Sequence, residues 1–565
     1  MSSGCRLLRQ CLQRARPERA GVRAYSALQR RGFAHSVARA AAAAPPALDV
    51  THDFEKRLKQ LEQAGDLAGY YPPNPHKADR MTAQEVHEAF KDLQNDEARK
   101  DMTVTVFGTV SSRRSSGSKL VFIDLYDRGH TVQGLCNFGV LEPQGVEKSD
   151  FKRFQKLVRK GDIYAVTGYP TRTPSGELSI VATELPRSLA PSLHQLPEVV
   201  ESPETLARQP HVDFLVHPSR AATQRVRSAI VSAMRRFFDQ DGFMEVNTPL
   251  LTAGAAGAAA RPFETKANEF PDDPLTLRIA PELFLKRLVI GTGERLYEIG
   301  TVFRNEGIDA THNPEFTICE FYEPYATLEA LIQRTETLFS LLHSTVTQLA
   351  LSNKVVREAL TPTSTDFSAP FKRLEFIPTI ESAINQRLPD LSAPTAFADL
   401  QALFKDLALT PPADATLPRL LDALAEQYIE PLCTAPTFIT HHPEIMAPLA
   451  KSYTDPVSGQ VVSRRVELFI AGREYVNAYE EENSPFAQRR KFEAQLAQRD
   501  VEARGLRTVD ESYLEALEWG LPPTGGWGCG VDRIVMLFAG VQRVADVQPF
   551  GSLRNVVALG KGRPS

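Results

Sequence analysis

Five short runs of strand-forming residues, interrupted once by a helical segment, restrict the fold of this chain more than any other feature of its sequence. Gly and charged residues separate the runs, which are 103–110, 120–126, 132–138, 163–167 and 178–182. Between the third and fourth runs, residues 149–159 have helical spacing, with Phe151, Phe154, Leu157 and Val158 on one stripe. Three strands, a helix and two strands is the order of an OB barrel, a fold that often holds single-stranded nucleic acid on its face.

The chain of 565 residues is too long for one ordinary core, so we expect the barrel to be one of at least two domains. Helical segments precede the barrel, and a Pro- and Glu-rich stretch follows it. We predict N-terminal helices and barrel over 45–184, a linker over 185–218 and a larger domain over 219–560. Residues from about 345 to 435 are Ala-, Leu- and Pro-rich and mostly helical, and we interpret them as an insertion in the larger domain.

The first 44 residues differ in composition from the rest of the chain. Residues 1–40 contain nine arginines and a single acid, Glu18, and the first lysine is Lys56. An Arg-, Ala- and Ser-rich segment without a long apolar core is typical of a mitochondrial transit peptide and not of a secretory signal. We predict a transit peptide over 1–44 and a location in the mitochondrial matrix. A disordered basic tail that binds nucleic acid is the alternative, although lysines would be expected in such a tail.

The distribution of cysteines and apolar residues excludes several other classes of protein. The six cysteines lie far apart, without a Cys-x-x-Cys pair or a Cys/His cluster at zinc spacing, so we expect reduced thiols rather than disulfides or a zinc site. No run approaches the ~18 to 20 apolar residues that a membrane-spanning helix needs, so we expect no membrane partner. The hydrophobic content of 42% and the charged content of 24% are those of a soluble globular protein.

The larger domain begins with a long amphipathic helix. Apolar residues recur at steps of three and four from Val226 to Phe238, and Asp241 and Gly242 end the helix. Residues 243–249 then predict a strand that is closed by a proline. The helix offers more apolar surface than one domain obviously needs, which suggests an interface with a second copy of the chain.

Two further segments of the larger domain have the residues of a phosphate-binding site. Residues 296–306 predict a strand ending in a charged turn, and 317–325 predict the second strand of a hairpin. An arginine at such a strand end, Arg304, can bind a phosphate through two parallel hydrogen bonds, although alone it could equally be a surface salt-bridge partner. Near the C-terminus, four glycines at 525, 526, 528 and 530 allow backbone to approach a ligand, and Arg533 falls in the first turn of the following helix.

Together these segments resemble the class II aminoacyl-tRNA synthetases. The long helix with residues 245–249 is similar to the first motif of that family, 303–320 to the second and 526–533 to the third. The resemblance to the lysyl enzymes of the family runs from about residue 53 to 550 and is weak only in the insertion and at the extreme C-terminus. It implies an α+β chain, an OB-fold barrel followed by a catalytic domain with an antiparallel sheet flanked by helices. It also implies a bent ATP in the active site.

The resemblance assigns ATP-binding roles to residues of the second and third motifs. Arg304 would bind the α-phosphate, and Arg533 would lie on the other side of the nucleotide, against the γ-phosphate. Phe316 would stack on adenine, although ordinary strand packing is the alternative for this residue. The full set of ATP-binding residues that the resemblance implies is Arg304, Glu306, His312, Phe316, Glu467, Glu474, Gly530, Asp532 and Arg533.

Two of these residues, Glu467 and Glu474, match the paired carboxylates that hold Mg²⁺ on ATP in the family. Hard oxygen ligands that bridge a metal to phosphate are what magnesium prefers. Glutamates near a strand are more often solvated than metal-bound. The position of these two within the motif supports the assignment of a magnesium ion that enters with ATP.

The resemblance also favours lysine over aspartate or asparagine as the amino acid that is activated. Aspartate-binding relatives have a lysine three residues after the position of Glu282 and an arginine at the position of Glu481, whereas this chain has Leu285 and Glu481. A buried glutamate suits a cationic side chain, because a desolvated carboxylate is costly unless it is paired. Lysine-binding residues are implied to be Gly257, Glu282, Arg304, Glu320, Tyr322, Asn477, Tyr479 and Glu481, with Glu481 and Tyr322 on the ε-ammonium.

In the barrel, four residues match positions where lysyl enzymes read a U-rich anticodon by stacking and base-edge hydrogen bonds. They are Arg113, Phe122, Gln133 and Glu177. Phe122 could equally belong to the core, and Gln133 could be a solvated strand residue.

The function predicted from the sequence is therefore a lysine–tRNA ligase that uses ATP, lysine and tRNA(Lys) in mitochondrial translation, as a homodimer. Two other classes remain as alternatives. A non-catalytic tRNA-binding relative would usually have lost an arginine or a metal carboxylate, and Arg304, Glu467, Glu474 and Arg533 are all present. A relative that lysylates a protein would lack the anticodon barrel.

Overall fold

The computed structural model of the chain describes residues 52–73, 79–198, 200, 203–253, 260–361, 363–413, 415–497 and 509–560. The predicted transit peptide and Gly257 lie outside the described residues. Within these ranges, no helix is both long and apolar enough to cross a membrane. The described cysteines, Cys136, Cys319, Cys433 and Cys529, are buried and unpaired.

The N-terminal part contains a six-stranded sheet with short helices around it. In chain order its elements are α1 (His52–Ala64), α2 (Ala83–Ala89), β1 (Val104–Ser116), β2 (Leu120–Asp127), β3 (His130–Asn137), α3 (Phe138–Leu141), α4 (Lys148–Leu157), β4 (Ile163–Arg172), β5 (Leu178–Ala182) and β6 (Arg187–Ala190). Strand order is β1-β2-β3-β5-β4-β6, and a further pairing of β1 with β4 closes the sheet into a barrel. The OB-type barrel that the strand order predicted is thereby confirmed.

Along the barrel strands, buried apolar residues alternate with partly exposed residues, and the buried ones form the barrel core. On β2, Val121, Ile123 and Leu125 are fully buried, while the residues between them are partly exposed, as expected for a strand with one buried face. Helix α1 is held to the barrel by a buried ion pair in which Arg57 Nη2 lies 2.9 Å from Asp162 Oδ2. Strand β6 pairs with β4, so the barrel sheet extends into the segment that we expected to be a linker.

The larger part contains the remaining helices and strands. Up to the middle of the chain they are α5 (Pro203–Arg208), α6 (Pro210–Val216), α7 (Pro218–Gln240), β7 (Met244–Glu245), β8 (Leu251–Thr252), β9 (Glu264–Thr265), β10 (Leu275–Leu277), α8 (Glu282–Thr292), β11 (Leu296–Phe303), β12 (Glu315–Pro324), α9 (Leu328–Ser352) and α10 (Lys354–Ala359). They continue with β13 (Lys372–Glu375), α11 (Phe376–Ile384), α12 (Ala396–Asp406), α13 (Leu417–Tyr428), β14 (Thr437–Thr440), β15 (Ser452–Thr454), β16 (Val461–Ser463), β17 (Arg465–Ile470), β18 (Arg473–Glu480), α14 (Pro485–Ala497), α15 (Glu511–Glu518), β19 (Thr524–Gly530), α16 (Val531–Ala539), α17 (Val544–Val547) and α18 (Leu553–Gly560).

An eight-stranded sheet organises this part, in the order β13-β14-β17-β18-β19-β12-β11-β7. The described inner pairings are antiparallel, and the two edge strands, β7 and β13, pair in parallel with their neighbours. Helices α7, α9 and α16 pack on one face, where their apolar residues share a core with the sheet. The antiparallel sheet flanked by helices that the resemblance implied is confirmed.

Helix α7 buries its apolar stripe within the chain itself. Val226, Ile230, Ala233, Met234 and Phe238 are at most 1% exposed and belong to the core shared with α9 and the sheet. The surplus of apolar surface that we expected on this helix is therefore taken up by its own domain.

The segment interpreted as an insertion contributes most of a second apolar core, which it shares with Ile439 and Phe469 of the main sheet. Helices α11, α12 and α13 contribute Ile380, Leu400, Leu403, Leu420 and Leu424 to it. Strand β13, in the same segment, pairs with β14 and so joins the edge of the main sheet. The segment is mostly helical, and it is attached to the sheet by that strand.

Candidate active site

A cavity of about 1320 Å³ lies over the middle of the eight-stranded sheet. Of the residues proposed for ATP and amino-acid binding, those that line it are Glu282, Arg304, Glu306, His312, Phe316, Glu320, Tyr322, Glu474, Asn477, Tyr479, Gly530, Asp532 and Arg533. Glu467 and Glu481 do not contribute to the lining. The sheet thus brings together residues that are more than 250 positions apart in the chain.

One end of the cavity carries the two arginines that the motifs indicated. Arg304 follows β11, and its guanidinium lies 5.3 Å from the centre of the Phe316 ring. Its Nε donates a hydrogen bond of 3.3 Å to the carbonyl oxygen of Ile279. Among the described residues no other partner takes its two terminal nitrogens, so they remain available to an anion in the cavity.

Arg533 and His312 form a second polar group in the lining of the cavity. Arg533 Nη1 donates to the carbonyl oxygen of Glu474 at 3.1 Å, and Nη2 lies 3.2 Å from His312 Nε2. The other ring nitrogen of His312 lies 2.9 Å from Asp309. Because an arginine can only donate, this chain of contacts assigns the imidazole proton to Nδ1 and leaves Nε2 as the acceptor.

Glu467 and Glu474 lie on neighbouring strands, β17 and β18, and differ sharply in their surroundings. Burial opposes the charge of Glu467, but Arg465 and His442 lower the pKa of its carboxyl to about 2. His442 Nε2 lies 2.9 Å from this carboxylate, and Arg465 makes a short ion pair with it. Burial and the charge of Glu467 raise the pKa of Glu474 to about 7, against the effect of Arg533 and Arg304.

Asp532 has partners within the protein. Its carboxylate accepts the backbone N–H of Thr317 at 2.8 Å and forms a short ion pair with Arg227 of α7. The residue is 3% exposed. Although it borders the cavity, its charge is matched by Arg227, so its described contacts tie α16 to β12 and α7.

The other end of the cavity is acidic and lined with tyrosines. Tyr322 donates a hydrogen bond of 3.1 Å to Glu320, and Tyr479 donates one of 2.7 Å to Glu282. Burial and the neighbouring charge of Glu282 raise the pKa of Glu320 to about 8. Glu320 therefore carries a proton at neutral pH unless a cation approaches it.

Behind this end, Glu481 is completely buried and already has a cationic partner. Lys286 of α8 forms a short ion pair with the Glu481 carboxylate, and its Nζ lies 2.6 Å from Glu282 Oε1. Burial raises the pKa of Glu481 well above its usual range, and Lys286 is the largest of the groups that lower it. Lys286 was not among the residues predicted from the sequence. Its spacing of four residues from Glu282 on a helix was the signal that could have identified it.

One glycine of the third motif makes room for Glu481. A Cβ added to Gly526 would overlap Glu481 Oε1, whereas one added to Gly528 would make only an ordinary contact of 3.4 Å with Glu320 Cγ. We expected the glycines to admit a ligand. At Gly526 the missing side chain leaves space for a carboxylate of the protein itself.

Two other contributions to the site were missed. Arg465 Nε donates a hydrogen bond of 2.9 Å to Asn477 Oδ1, which fixes the orientation of the Asn477 amide. The start of α13, in the predicted insertion, also lines the cavity with Thr416, Pro418, Arg419 and Asp422. The apolar composition of that segment gave no sign that it would reach the site.

The barrel places the four proposed anticodon residues on different surfaces. Phe122 lies on the outer face of β2, opposite Arg114 of β1, whose guanidinium is 5.8 Å from the Phe122 ring. Gln133 is buried but lies beside that face, where its Oε1 accepts a hydrogen bond of 3.1 Å from Ser179. Glu177 is exposed next to β5. Arg113 donates instead to the carbonyl oxygen of Gln155 at 2.7 Å, so Arg114 is the arginine beside Phe122.

An antiparallel sheet with two arginines and a group of carboxylates in one cavity, preceded by an OB barrel, is the arrangement of a class II aminoacyl-tRNA ligase. Residues 202–554 match the family model described as class II tRNA synthetases (D, K and N). Residues 104–186 match the OB-fold nucleic acid binding domain. The chain belongs to this family of class II tRNA synthetases and is an enzyme.

Three similar relatives are lysine–tRNA ligases by name. Lysine–tRNA ligase cla4 of Cladosporium cladosporioides is 37% identical over 90% of this chain and 85% of its own length. The mitochondrial lysine–tRNA ligase of Schizosaccharomyces pombe is 39% identical over 89% of this chain and 94% of its own. The mitochondrial enzyme of Saccharomyces cerevisiae is 35% identical over 90% of this chain and 93% of its own.

Proposed function

We propose that the protein is a lysine–tRNA ligase that forms lysyl-adenylate from lysine and ATP and transfers the lysyl group to tRNA(Lys). The observation that carries the proposal is the acidic end of the cavity, where Glu282, Glu320 and Glu481 converge. The names of the similar relatives agree with it. Among the described residues, the cation beside these carboxylates is Lys286, which is already paired with two of them. A carboxylate side chain such as aspartate would therefore meet net negative charge.

The two ends of the cavity suit the two substrates of the first step, lysine and ATP. Lysine would enter with its ε-ammonium toward Glu481 and its α-ammonium toward Glu282 and Glu320, while Arg304 and Asn477 hold its carboxylate. A carboxylate oxygen then attacks the α-phosphorus, the bond to the β-phosphate oxygen breaks, and pyrophosphate leaves. Arg304 and Arg533 would stabilise the charge that develops on the phosphates. In the second step a ribose hydroxyl of the tRNA takes the lysyl group and AMP leaves.

The residues present fit a magnesium ion that arrives with ATP. Glu474 has its pKa raised by burial and by Glu467, which means that the two carboxylates repel each other where no cation stands between them. Oxygen ligands of this kind are those that magnesium prefers. The described residues contain no group of three or more acidic, His or Cys side chains arranged for a metal, so ATP phosphates would have to complete the ligand set. When bound, the ion would neutralise phosphate charge.

The function is tested by amino-acid-dependent exchange of labelled pyrophosphate into ATP. A panel of lysine, ornithine, arginine, aspartate and asparagine separates a cationic from an anionic pocket. We expect exchange with lysine and none with aspartate or asparagine. Exchange that depends on aspartate or asparagine, or no exchange with any amino acid by well-folded protein, would overturn the proposal.

The protonation of Glu320 predicts a pH dependence of lysine binding. Below its pKa of about 8 the empty site holds a neutral Glu320, which must lose its proton to pair with the α-ammonium. Apparent affinity for lysine should therefore rise with pH, by up to about tenfold per unit, and level off near pH 8. The measurement is the KM for lysine in pyrophosphate exchange from mildly acidic to mildly alkaline pH.

Glu320→Gln is the matched variant for that profile. It should bind lysine more weakly but show a flat KM over the same range, because no proton has to leave. The KM for ATP serves as the internal control, and in both proteins it should not show the pH dependence of the KM for lysine. Identical slopes in the wild type and in Glu320→Gln would assign the titration to another group.

We also propose that the outer face of the barrel reads the anticodon. Phe122 supports this because its ring lies on that face while Val121 and Ile123 fill the core. Phe122→Ala should weaken tRNA charging by the ~1 to 3 kcal/mol of one lost base stack and leave lysyl-adenylate formation nearly unchanged. Charging and pyrophosphate exchange are measured side by side.

Phe107→Ala is the control for this substitution. Phe107 is another partly exposed aromatic residue of the barrel, on β1, with the Arg80 guanidinium 4.9 Å from its ring. It should leave charging close to the wild-type level. If Phe122→Ala lowered both steps equally, or both variants lowered charging alike, Phe122 would contribute to folding rather than to tRNA recognition.

We propose, further, that the protein acts in the mitochondrial matrix. The support is the Arg-rich, almost acid-free composition of residues 1–44 and the similarity to two yeast relatives that are named mitochondrial. The relative from Cladosporium carries no such word in its name. The composition of the segment is therefore the main support.

We propose a two-fold homodimer whose interface includes the segment that follows α7 in the chain. Met244, Leu250 and Leu251 are 45%, 47% and 51% exposed, and Met244 lies on β7, an edge strand of the main sheet. Exposed apolar side chains at a sheet edge are commonly covered by a partner. Since the apolar stripe on α7 is buried within the chain, this edge is the part of the first motif that remains available for contact with a second copy.

A further inference from the structure

The ammonium group of Lys286 lies where a cationic substrate would be read, although it belongs to the protein. Its side chain is 0% exposed, and its Nζ lies 5.7 to 5.9 Å from the ring centres of Tyr322, Tyr479 and Tyr513. Glu282 and Glu481 complete the surroundings. Two carboxylates and three aromatic rings around one ammonium form a site for a cation, and in this structure Lys286 occupies it.

Lys286 and Glu481 depend on each other for their charges. The ion pair with Lys286 is the one close polar contact of the Glu481 carboxylate among the described residues, and neither carboxylate oxygen has a hydrogen-bond partner of good geometry there. The other side of the carboxylate rests on Gly526, where no side chain fits. A buried carboxylate without a cation would take up a proton.

We propose that Lys286 is a positioning residue, a built-in counter-ion that keeps the Glu481 carboxylate charged and in place in the empty pocket. The inference rests on the proposed activation of lysine and adds to it a residue that acts through Glu481. Glu282 and Glu481 together carry two negative charges, and Lys286 balances one of them. One negative charge is left for the ε-ammonium of the substrate, so the pocket accepts one further cation and no anion.

The groups that face Glu481 decide how it responds when Lys286 is removed. Helix α8 presents Glu282 beside Lys286, β12 presents Glu320 and Tyr322, β18 presents Tyr479, and α15 presents Tyr513. Lys286 is the only cation in this set of described residues. Without Lys286, the group that most lowers the pKa of Glu481 is lost while burial and Glu282 still raise it, so the carboxyl takes up a proton more readily. Lysine can then bind through its ε-ammonium only after that proton leaves.

The test compares Lys286→Met, Lys286→Arg, Glu481→Gln and the double variant Lys286→Met/Glu481→Gln in the full-length protein. Lys286→Met should raise the KM for lysine by about tenfold for each unit by which the pKa of Glu481 exceeds the assay pH, and the KM should recover as the pH rises. The KM for ATP should stay near the wild-type value. Lys286→Arg should restore part of the lysine affinity, because it keeps the charge.

The double variant shows whether Lys286 acts through Glu481. If it does, adding Lys286→Met to Glu481→Gln raises the KM for lysine no further, whereas independent effects would multiply. Lys491→Met is the matched control, because Lys491 forms a comparable pair with Glu482, 3.0 Å apart and largely buried, outside the cavity. This control should lower thermal stability but keep the wild-type pH profile of the KM for lysine.

A second measurement does not need the substrate. Infrared difference spectra at neutral pH between each background and its Glu481→Gln derivative isolate the carboxyl of residue 481. The Lys286→Met background should show a larger protonated-carboxyl band than the wild-type background, in which the ion pair with Lys286 favours the carboxylate. If the wild type activates no lysine but these bands appear, the proposed function is wrong, while the role of Lys286 as counter-ion of Glu481 is supported. Multiplying effects, an unchanged KM profile in Lys286→Met, or a protonated-carboxyl band no larger in that background than in the wild type would overturn the role of Lys286.

Discussion

Arg304→Ala should reduce lysine-dependent pyrophosphate exchange by about three to five orders of magnitude, the loss typical of removing an arginine that stabilises a phosphoryl-transfer transition state. Arg304 would bind both reacting groups, the amino-acid carboxylate and the α-phosphate, so its loss affects their alignment as well as the charge between them. Its described contacts with the protein are one long hydrogen bond to Ile279 and the face of Phe316. The fold should therefore tolerate the substitution.

Several controls distinguish a chemical from a structural effect of Arg304. Arg464→Ala removes an arginine that is 47% exposed and paired with Glu480 outside the cavity, and it should leave exchange near the wild-type level. Arg304→Lys should rescue little, because an ammonium cannot make two parallel hydrogen bonds to one phosphate. Transfer from preformed lysyl-adenylate to tRNA should suffer less than adenylate formation. Exchange within about tenfold of the wild type would remove Arg304 from the reaction centre.

The position of the site was predictable because its parts are local in sequence. The β11–β12 hairpin and the β19–α16 segment each combine a strand with one arginine near its end, and such patterns are visible without an alignment. Apolar residues and turn residues predict where each of these segments begins and ends to within a few positions. The pairing of Phe321 with Trp527 across β12 and β19 then brings the two segments into one sheet.

The partners of the charged residues were not predictable in the same way. Nothing in the sequence indicates that Asp532 pairs with Arg227, which lies 305 positions away. The same holds for Lys286 and Glu481, 195 positions apart. A charged side chain can point to solvent, to a ligand or to another residue at little difference in local energy. The choice depends on which oppositely charged group the folded chain brings near it.

Arg113 and Arg114 illustrate a smaller uncertainty of the same kind. Adjacent residues on a strand point to opposite faces, so the sequence alone does not show which of two neighbouring arginines shares a surface with Phe122. A register shift in β1 between Val110 and Ser112 alters the alternation just before these arginines. As a result Arg114, and not Arg113, is the neighbour of Phe122.

Glu481→Gln is the substitution that should change amino-acid activation most selectively. The variant keeps the shape of the side chain but removes the ion pair proposed with the ε-ammonium. Loss of one partner of a buried charge pair typically costs ~3 to 5 kcal/mol, which corresponds to a loss of about two to four orders of magnitude in lysine activation. Lys286 would then face the substrate ammonium with only Glu282 to balance it, which adds repulsion.

The effect of Glu481→Gln should be confined to lysine. ATP binding should persist, because Arg304, Arg533 and Glu474 lie at the other end of the cavity. Glu480→Gln is the matched control, since Glu480 is the preceding residue of β18 and accepts the backbone N–H of Leu328 at 3.0 Å, outside the cavity. It should keep lysine activation near the wild-type level.

Glu481→Arg is a stricter test of the charge that the pocket requires. It would place a second cation beside Lys286 and should abolish lysine use, yet it should not create an aspartate enzyme, because Leu285 still stands where the aspartate-binding relatives have a lysine. Lysine-dependent exchange and direct ATP binding, measured for the wild type and the three variants, give the answer. Near-normal lysine activation in Glu481→Gln would mean that Glu481 serves only as the partner of Lys286. Recognition of the ε-ammonium would then fall to Glu282 and Glu320, which line the cavity directly.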